Sequence, residues 1–262
     1  MPSRSFAYQP AVVVTGGSSG IGAAFCRLAA QEGWHVWIGY GKGAGRAELL
    51  AEELNRAGNS AMAIRLPLDD ADSLRQSIAA IASHQPIAEA LVLCAAPPPT
   101  VAPFLKQMPD DFRRQFESTV VGTHLLLADF WRGCLRRRGG GHVLAVLSAA
   151  LGPPAAPHMA SYICAKSGLA ALLQSAAAEF GRAGLRISMV NPGYVETPML
   201  QAFQPLLLER ARAAAPGRRF LHAEEVARTL LHGLQNPPPP GAIDELPLPT
   251  AMGPGSGRAS AL

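Results

Sequence analysis

The chain has 262 residues, enough for one large domain with a sizeable core, and 48% of them are hydrophobic against 16% charged. That balance excludes an intrinsically disordered chain, and a formal net charge of only +4, with no stretch interleaving aromatic and basic residues, argues against a nucleic-acid binder. No run approaches the roughly 18 apolar residues that a membrane span needs, MPSRSFAYQP at the N-terminus has no apolar signal core, and Cys26, Cys94, Cys134 and Cys164 have neither disulfide nor metal-ligand spacing. A cytoplasmic protein without a metal is expected.

In chain order, short apolar runs alternate with segments of helical period. Residues 11–14 read as a strand and 23–32 as a helix; 35–40 as a strand and 47–57 as a helix with Leu49, Leu50 and Leu54 on one face. Strand 60–66, helix 73–83 and strand 90–94 follow. A long helix begins after Asp110 and Asp111, whose carboxylates favour a helix start, and ends at Arg136-Arg137-Arg138 before three glycines. Those arginines read either as cations placed at a helix C-terminus or as a docking patch for an acidic partner. Strand 142–147, helix 162–182 and strand 187–191 complete the alternation. Such a pattern implies an α/β fold: a doubly wound parallel sheet of Rossmann type with helices on both faces. One domain is expected over residues 1–250, with 251–262 (AMGPGSGRASAL) a disordered tail.

The first strand runs into Thr15-Gly16-Gly17-Ser18-Ser19-Gly20-Ile21-Gly22. Glycines here allow a tight turn and close approach of a pyrophosphate, and the helix that follows presents free N–H groups to it. Gly16, Ser18, Ser19, Gly20, Ile21 and Gly22 are therefore candidate cofactor contacts. A site for NAD usually carries an acid after the second strand, on the ribose hydroxyls. From His35 to Ala47 there is none; Lys42 and Arg46 stand in that loop, and Tyr40 and Lys42 are candidate cofactor contacts. Cations attract a 2′-phosphate, so NADP(H) is favoured over NAD(H).

Further on, Tyr162 and Lys166 lie four apart on one face of a helix. A nearby ammonium favours the phenolate and lowers the phenol pKa, giving a usable proton donor and acceptor. Ser148 precedes the tyrosine by fourteen residues.

These motifs together resemble the short-chain dehydrogenase/reductase family in its single-domain form, and in particular its β-ketoacyl-carrier-protein reductases. The resemblance runs from about residue 10 to 235 and rests on Thr15-Gly16…Gly20-Ile21-Gly22, Tyr162…Lys166, Asn191-Pro192-Gly193 with Thr197, and Pro216-Gly217-Arg218…Glu224-Glu225-Val226-Ala227. It implies about seven strands, a proton-exchanging Tyr162, a Lys166 that holds the nicotinamide ribose, and cofactor contacts at Pro192, Gly193, Val195 and Thr197. It also implies pairing through the two long helices, as a homodimer or homotetramer, and a substrate-covering segment that includes Phe203, Leu206, Leu207 and Leu208.

Departures accompany the matches. The family's Asn-Asn-Ala-Gly corresponds to Leu93-Cys94-Ala95-Ala96, which makes Ala95 and Ala96 the cofactor contacts there. Leu68 takes the adenine-contacting position, and Thr119 replaces a helix asparagine. The family's spacing puts its catalytic serine at Ala149; Ser148 serves only if the loop before Tyr162 takes up one extra residue. Two functions are thus expected to compete. One is an NADPH-dependent reduction of a ketone, small or carried as a thioester on an acyl carrier protein, with Tyr162 as proton donor. The other is an NADP(H)-binding structural, regulatory or accessory protein with impaired turnover.

Overall fold

The structure is a computed structural model that describes residues 9–153 and 155–249; the expected tail 251–262 lies outside the described residues. Its strands are β1 Ala11–Thr15, β2 His35–Tyr40, β3 Ser60–Arg65, β4 Ala90–Leu93, β5 Gly141–Val146 and β6 Leu185–Val190, with short β7 Val195–Glu196, β8 Leu221–His222 and β9 Ile243–Glu245. The helices are α1 Gly20–Gln31, α2 Ala44–Arg56, α3 Ala71–Ser83, α4 Pro109–Phe116, α5 Gly122–Phe130, α6 Ala160–Phe180, α7 Pro205–Ala214 and α8 Ala223–Gln235.

Seven strands form one parallel sheet in the order β3-β2-β1-β4-β5-β6-β9, and β7 pairs with β8 separately. Strand alternation sends side chains to two apolar layers. Val12, Val14, Ile38, Leu144 and Val190 pack against α1, α2 and α8 through Phe25, Leu54 and Leu230. Val13, Leu91, Val143 and Ile187 pack on the other face against α3, α5 and α6 through Ile78, Phe130 and Leu173. Strand order reverses between β1 and β4, which opens a crevice at the carboxyl ends of those strands.

The single long helix expected after Asp111 is instead α4, a π-helical turn Glu117–Val121, α5, a second π turn Trp131–Leu135 and the 3-10 turn Arg136–Arg138. Each wider turn resets which residues face the sheet, something a fixed 3.6-residue period cannot reproduce. Asp111 starts this run, its carboxylate accepting from the Met108 amide at 2.9 Å. Gly139, at φ 77°, ends it. The seventh strand, β9, comes from GAIDELPLP and pairs with β6.

Candidate active site

At the β1–α1 turn, a Cβ on Gly22 would sit 2.3 Å from the Gly16 carbonyl oxygen, so only glycine lets helix and turn close together. Gly16 itself has φ 66° and abuts the Ala95 backbone. Ser19 makes no side-chain cap to α1, which leaves first-turn amides free for an anion. Beyond β2, a Cβ on Gly43 would lie 2.7 Å from Ser18 Oγ and 2.9 Å from an Arg46 guanidinium nitrogen, so hydroxyl and cation converge there. A pyrophosphate-bearing dinucleotide fits this donor set: glycine turn, open helix N-terminus, then Ser18, Lys42 and Arg46.

The next wall is the segment after β4. Thr15 Oγ1 donates to the Val92 carbonyl oxygen (3.4 Å) and accepts from the Cys94 and Ala95 amides (3.1 and 3.2 Å), pinning its start. Proline offers no N–H, so Pro97, Pro98 and Pro99 cannot join a ladder. Their carbonyls take a donor from below instead: buried Gln115 of α4 donates Nε2 to Pro98 O (2.8 Å) and more distantly to Pro97 O (3.4 Å).

Past β5 the parallel ladder continues, with Leu147 and Ala149 amides donating to Val190 and Pro192 carbonyls (2.9 and 2.8 Å). Ser148 between them caps the 3-10 turn Ala149–Leu151, accepting from the Ala150 amide at 3.2 Å, and its hydroxyl lies near enough to Tyr162 to draw the phenol pKa down. A 3-10 turn, Ala149–Leu151, follows Ser148, and His158 before α6 sits at φ 67°. Ser148 and Ala149 both line the cavity with Tyr162, and of the two only Ser148 has a hydroxyl to act on the phenol.

Tyr162 and Lys166 project from α6, whose own N-cap residue, Met159, has no oxygen with which to cap. Gln107 supplies one from outside: Oε1 accepts from the Ser161 amide (2.9 Å) while Nε2 donates to His158 O (3.0 Å) and Ala102 O (3.3 Å). Lys166 is 2% exposed, donates to Val146 O at 2.6 Å, and has its Nζ 6.0 Å from the Tyr162 ring centroid. Burial lowers its pKa to about 8. The expected lowering of the tyrosine pKa by this ammonium is not what dominates: burial pushes the Tyr162 phenol up, and the Ser148 hydrogen bond pulls it back. Cys94 sits in Lys166's field, yet burial holds its thiol at about 12 and so protonated.

These walls enclose one cavity of about 760 Å³. Gly16, Ser18, Ser19, Gly20, Ile21, Gly22, Lys42, Ala95, Ala96, Ser148, Tyr162, Lys166, Pro192, Gly193, Val195 and Thr197, the candidate residues of the sequence, all line it. Tyr40 and Leu68 do not. Tyr40, on alternating β2, packs into the layer of α1 and α2, and Leu68 packs into the opposite layer. Of the four residues expected in a covering segment, only Phe203 lines the cavity; Leu206 is exposed on α7. Phe203 is held edge-on to Tyr194 (5.4 Å), which stacks on Phe220 (5.1 Å). Pro98, Pro99, Ala150, Met159 and Met199 were not legible as wall residues, because no polar chemistry marks them. The arginine cluster lies elsewhere. Arg136–Arg138 and Arg186 adjoin the starts of β5 and β6, about 20 Å of strand from the cavity. Arg137 donates to Ala82 O and Gly133 O, and Arg138 pairs with Glu89 at 2.6 Å, so both hold local structure.

With this geometry in view, the sequence pattern of the family described as short chain dehydrogenase matches residues 10–206. The chain belongs to this family. As such it is an oxidoreductase of a nicotinamide-binding fold. Among relatives of this dehydrogenase, cis-4-hydroxycyclohexanecarboxylate dehydrogenase of Sinomonas cyclohexanicum is 33% identical over 87% of the chain and 89% of its own length. The 3-oxoacyl-[acyl-carrier-protein] reductase of Staphylococcus aureus is 28% identical over 83% of the chain and 87% of its own length. A solved short chain dehydrogenase/reductase family protein superposes with TM-score 0.75 at 31% identity, covering 91% of the chain and 96% of its own. Among the described residues no helix is long and apolar enough to cross a membrane, and no group of three or more His, Cys, Asp or Glu gathers as for a metal.

Proposed function

We propose that this protein is a carbonyl reductase that uses NADP(H) in preference to NAD(H) and converts a ketone to an alcohol. The observation that carries this reading is that Ser148, Tyr162 and Lys166 stand together in the wall of the dinucleotide-sized cavity. Bound there, the nicotinamide supplies a hydride to the carbonyl carbon. As the C–H bond forms, the C=O π pair moves onto oxygen, which takes the Tyr162 proton, and Ser148 donates a hydrogen bond to that oxygen. Lys166, whose pKa of about 8 leaves it mostly charged at neutral pH, favours the phenolate left behind. Solvent then restores the proton. The placing of Ser148 in the cavity wall weighs against one of the three departures behind the alternative of a cofactor-binding protein without turnover; those at Leu93–Ala96 and Thr119 stand.

The phosphate-end cations support the cofactor preference: Lys42 and Arg46 line the cavity, and no carboxylate does so among the described residues. The relatives' names, one a hydroxycyclohexanecarboxylate dehydrogenase and one a 3-oxoacyl-[acyl-carrier-protein] reductase, support an alcohol–ketone pair, with a β-ketoacyl thioester included. A carrier protein would have to dock at the cavity mouth, not on the arginines at the far sheet edge. Assembly through the long helices belongs to the same reading; Phe116 and Val121 there are 36% and 52% exposed. The test is NADPH and NADH oxidation over a ketone panel. Tyr162→Phe is expected to cut kcat at least about 100-fold with little change in NADPH affinity, and Arg46→Glu to raise the KM for NADPH but not for NADH. Undiminished turnover in Tyr162→Phe would overturn the mechanism.

A further inference from the structure

The two halves of the cavity differ in charge. Among its described lining residues only Lys42, Arg46 and Lys166 carry charge. Lys42 and Arg46 lie beyond β2, three strand spacings from β5, roughly 14 Å from the Ser148 side. Lys166 is 2% exposed and donates to Val146 O, so its ammonium sits behind Tyr162 and is not offered as a direct partner to a substrate group. The remaining lining is uncharged, with Pro98, Ala150, Met159, Met199 and Phe203 apolar and Tyr194 and Gln201 polar but neutral. The prolines offer no N–H, and the carbonyls of Pro97 and Pro98 are already engaged by Gln115. An ion placed here would lose its water and gain no counter-charge, whereas an alkyl or ester group loses nothing.

Building on the reductase reading, we propose that the substrate half accepts an electrically neutral ketone flanked by apolar carbon, such as a keto ester or keto thioester. It excludes ketones with an ionised carboxylate within a few bonds of the carbonyl. A charge farther along the substrate escapes this rule, because it projects from the mouth into water. Product selection follows the same rule, so the reverse reaction favours neutral secondary alcohols over hydroxy acids.

Two matched pairs test this: ethyl acetoacetate against acetoacetate, and 4-methylcyclohexanone against 4-oxocyclohexanecarboxylate, each with NADPH and NADH at pH 7. The expected result is a kcat/KM at least about 100-fold higher for the neutral member of each pair. Equal or faster reduction of the carboxylates would overturn the inference while leaving the reductase reading intact. If neither member of either pair turns over, it is the reductase reading that fails. Binding then decides the inference by itself: ethyl 3-hydroxybutyrate, and not 3-hydroxybutyrate, should raise the Tm of the protein saturated with NADP⁺. Equal stabilisation by the anion would overturn it.

Discussion

Replacing Ser148 by alanine separates two jobs done by one hydroxyl. Toward the substrate, loss of one donor to a developing oxyanion costs about 3–4 kcal/mol, on the order of 10²- to 10³-fold in kcat. Toward the protein, the same oxygen caps the Ala149–Leu151 turn by accepting from the Ala150 amide, and losing such a cap costs about 1 kcal/mol. For a domain of this size that shifts the Tm by roughly 2–4 °C. The hydroxyl also acts on the tyrosine, because its hydrogen bond lowers a phenol pKa that burial has raised. In the variant that opposition disappears and the phenol pKa rises further. Reduction needs the phenol protonated, so its fall at alkaline pH moves to higher pH. Oxidation needs the phenolate, so its rise moves to higher pH as well. The assay is kcat against pH in both directions, with differential scanning calorimetry alongside. A variant that loses stability but keeps kcat and the pH profile would refute the catalytic assignment. So would Ala149→Ser restoring activity to Ser148→Ala, since Ala149 does not meet the phenol.

Two further outcomes follow from positions remote from the reacting atoms. Gln107→Leu removes the borrowed cap of α6 and the donor to His158 O, with an expected loss of about 1–2 kcal/mol and a raised KM. Gln107→Glu keeps the acceptor and should retain more stability, as chemical denaturation will show. His35 and His142 are buried, and burial holds both imidazoles near pKa 4. The unfolded chain takes up these protons from about pH 6.5 downward and the native fold only near 4, so their contribution is present above pH 6.5 and is lost as pH falls through that window. Denaturation curves should show about 1–2 kcal/mol lost per histidine between pH 7 and 5, and His142→Gln should flatten that slope.

The doubly wound fold was legible because each strand and helix carries its own period, and the glycine turn because close backbone approach leaves a mark in residue type. Tyr162 and Lys166 were legible for a similar reason: a helix fixes where a residue four positions on must point. Spacing across a loop has no such rigidity. Counting to Ala149 assumed a loop of standard length, and the segment between Ser148 and Tyr162 holds a 3-10 turn and a left-handed His158 that counting does not foresee. The long helix resisted for a related reason, its two π turns being set by packing. Gln107 and Gln115 left no signal at all, because a glutamine that caps a distant helix looks like any other glutamine. Tyr40 and Leu68 were read from neighbours in the chain, while their side chains went to the two core layers.

The last strand of the sheet bears on how molecules meet. Among the described residues β9 is the edge strand, and Asp244 and Glu245 are exposed on it. Two copies joined there about a two-fold axis would bring four carboxylates together along one seam, a repulsion that strengthens as ionic strength falls. Such charge on an edge strand opposes continuous sheet growth.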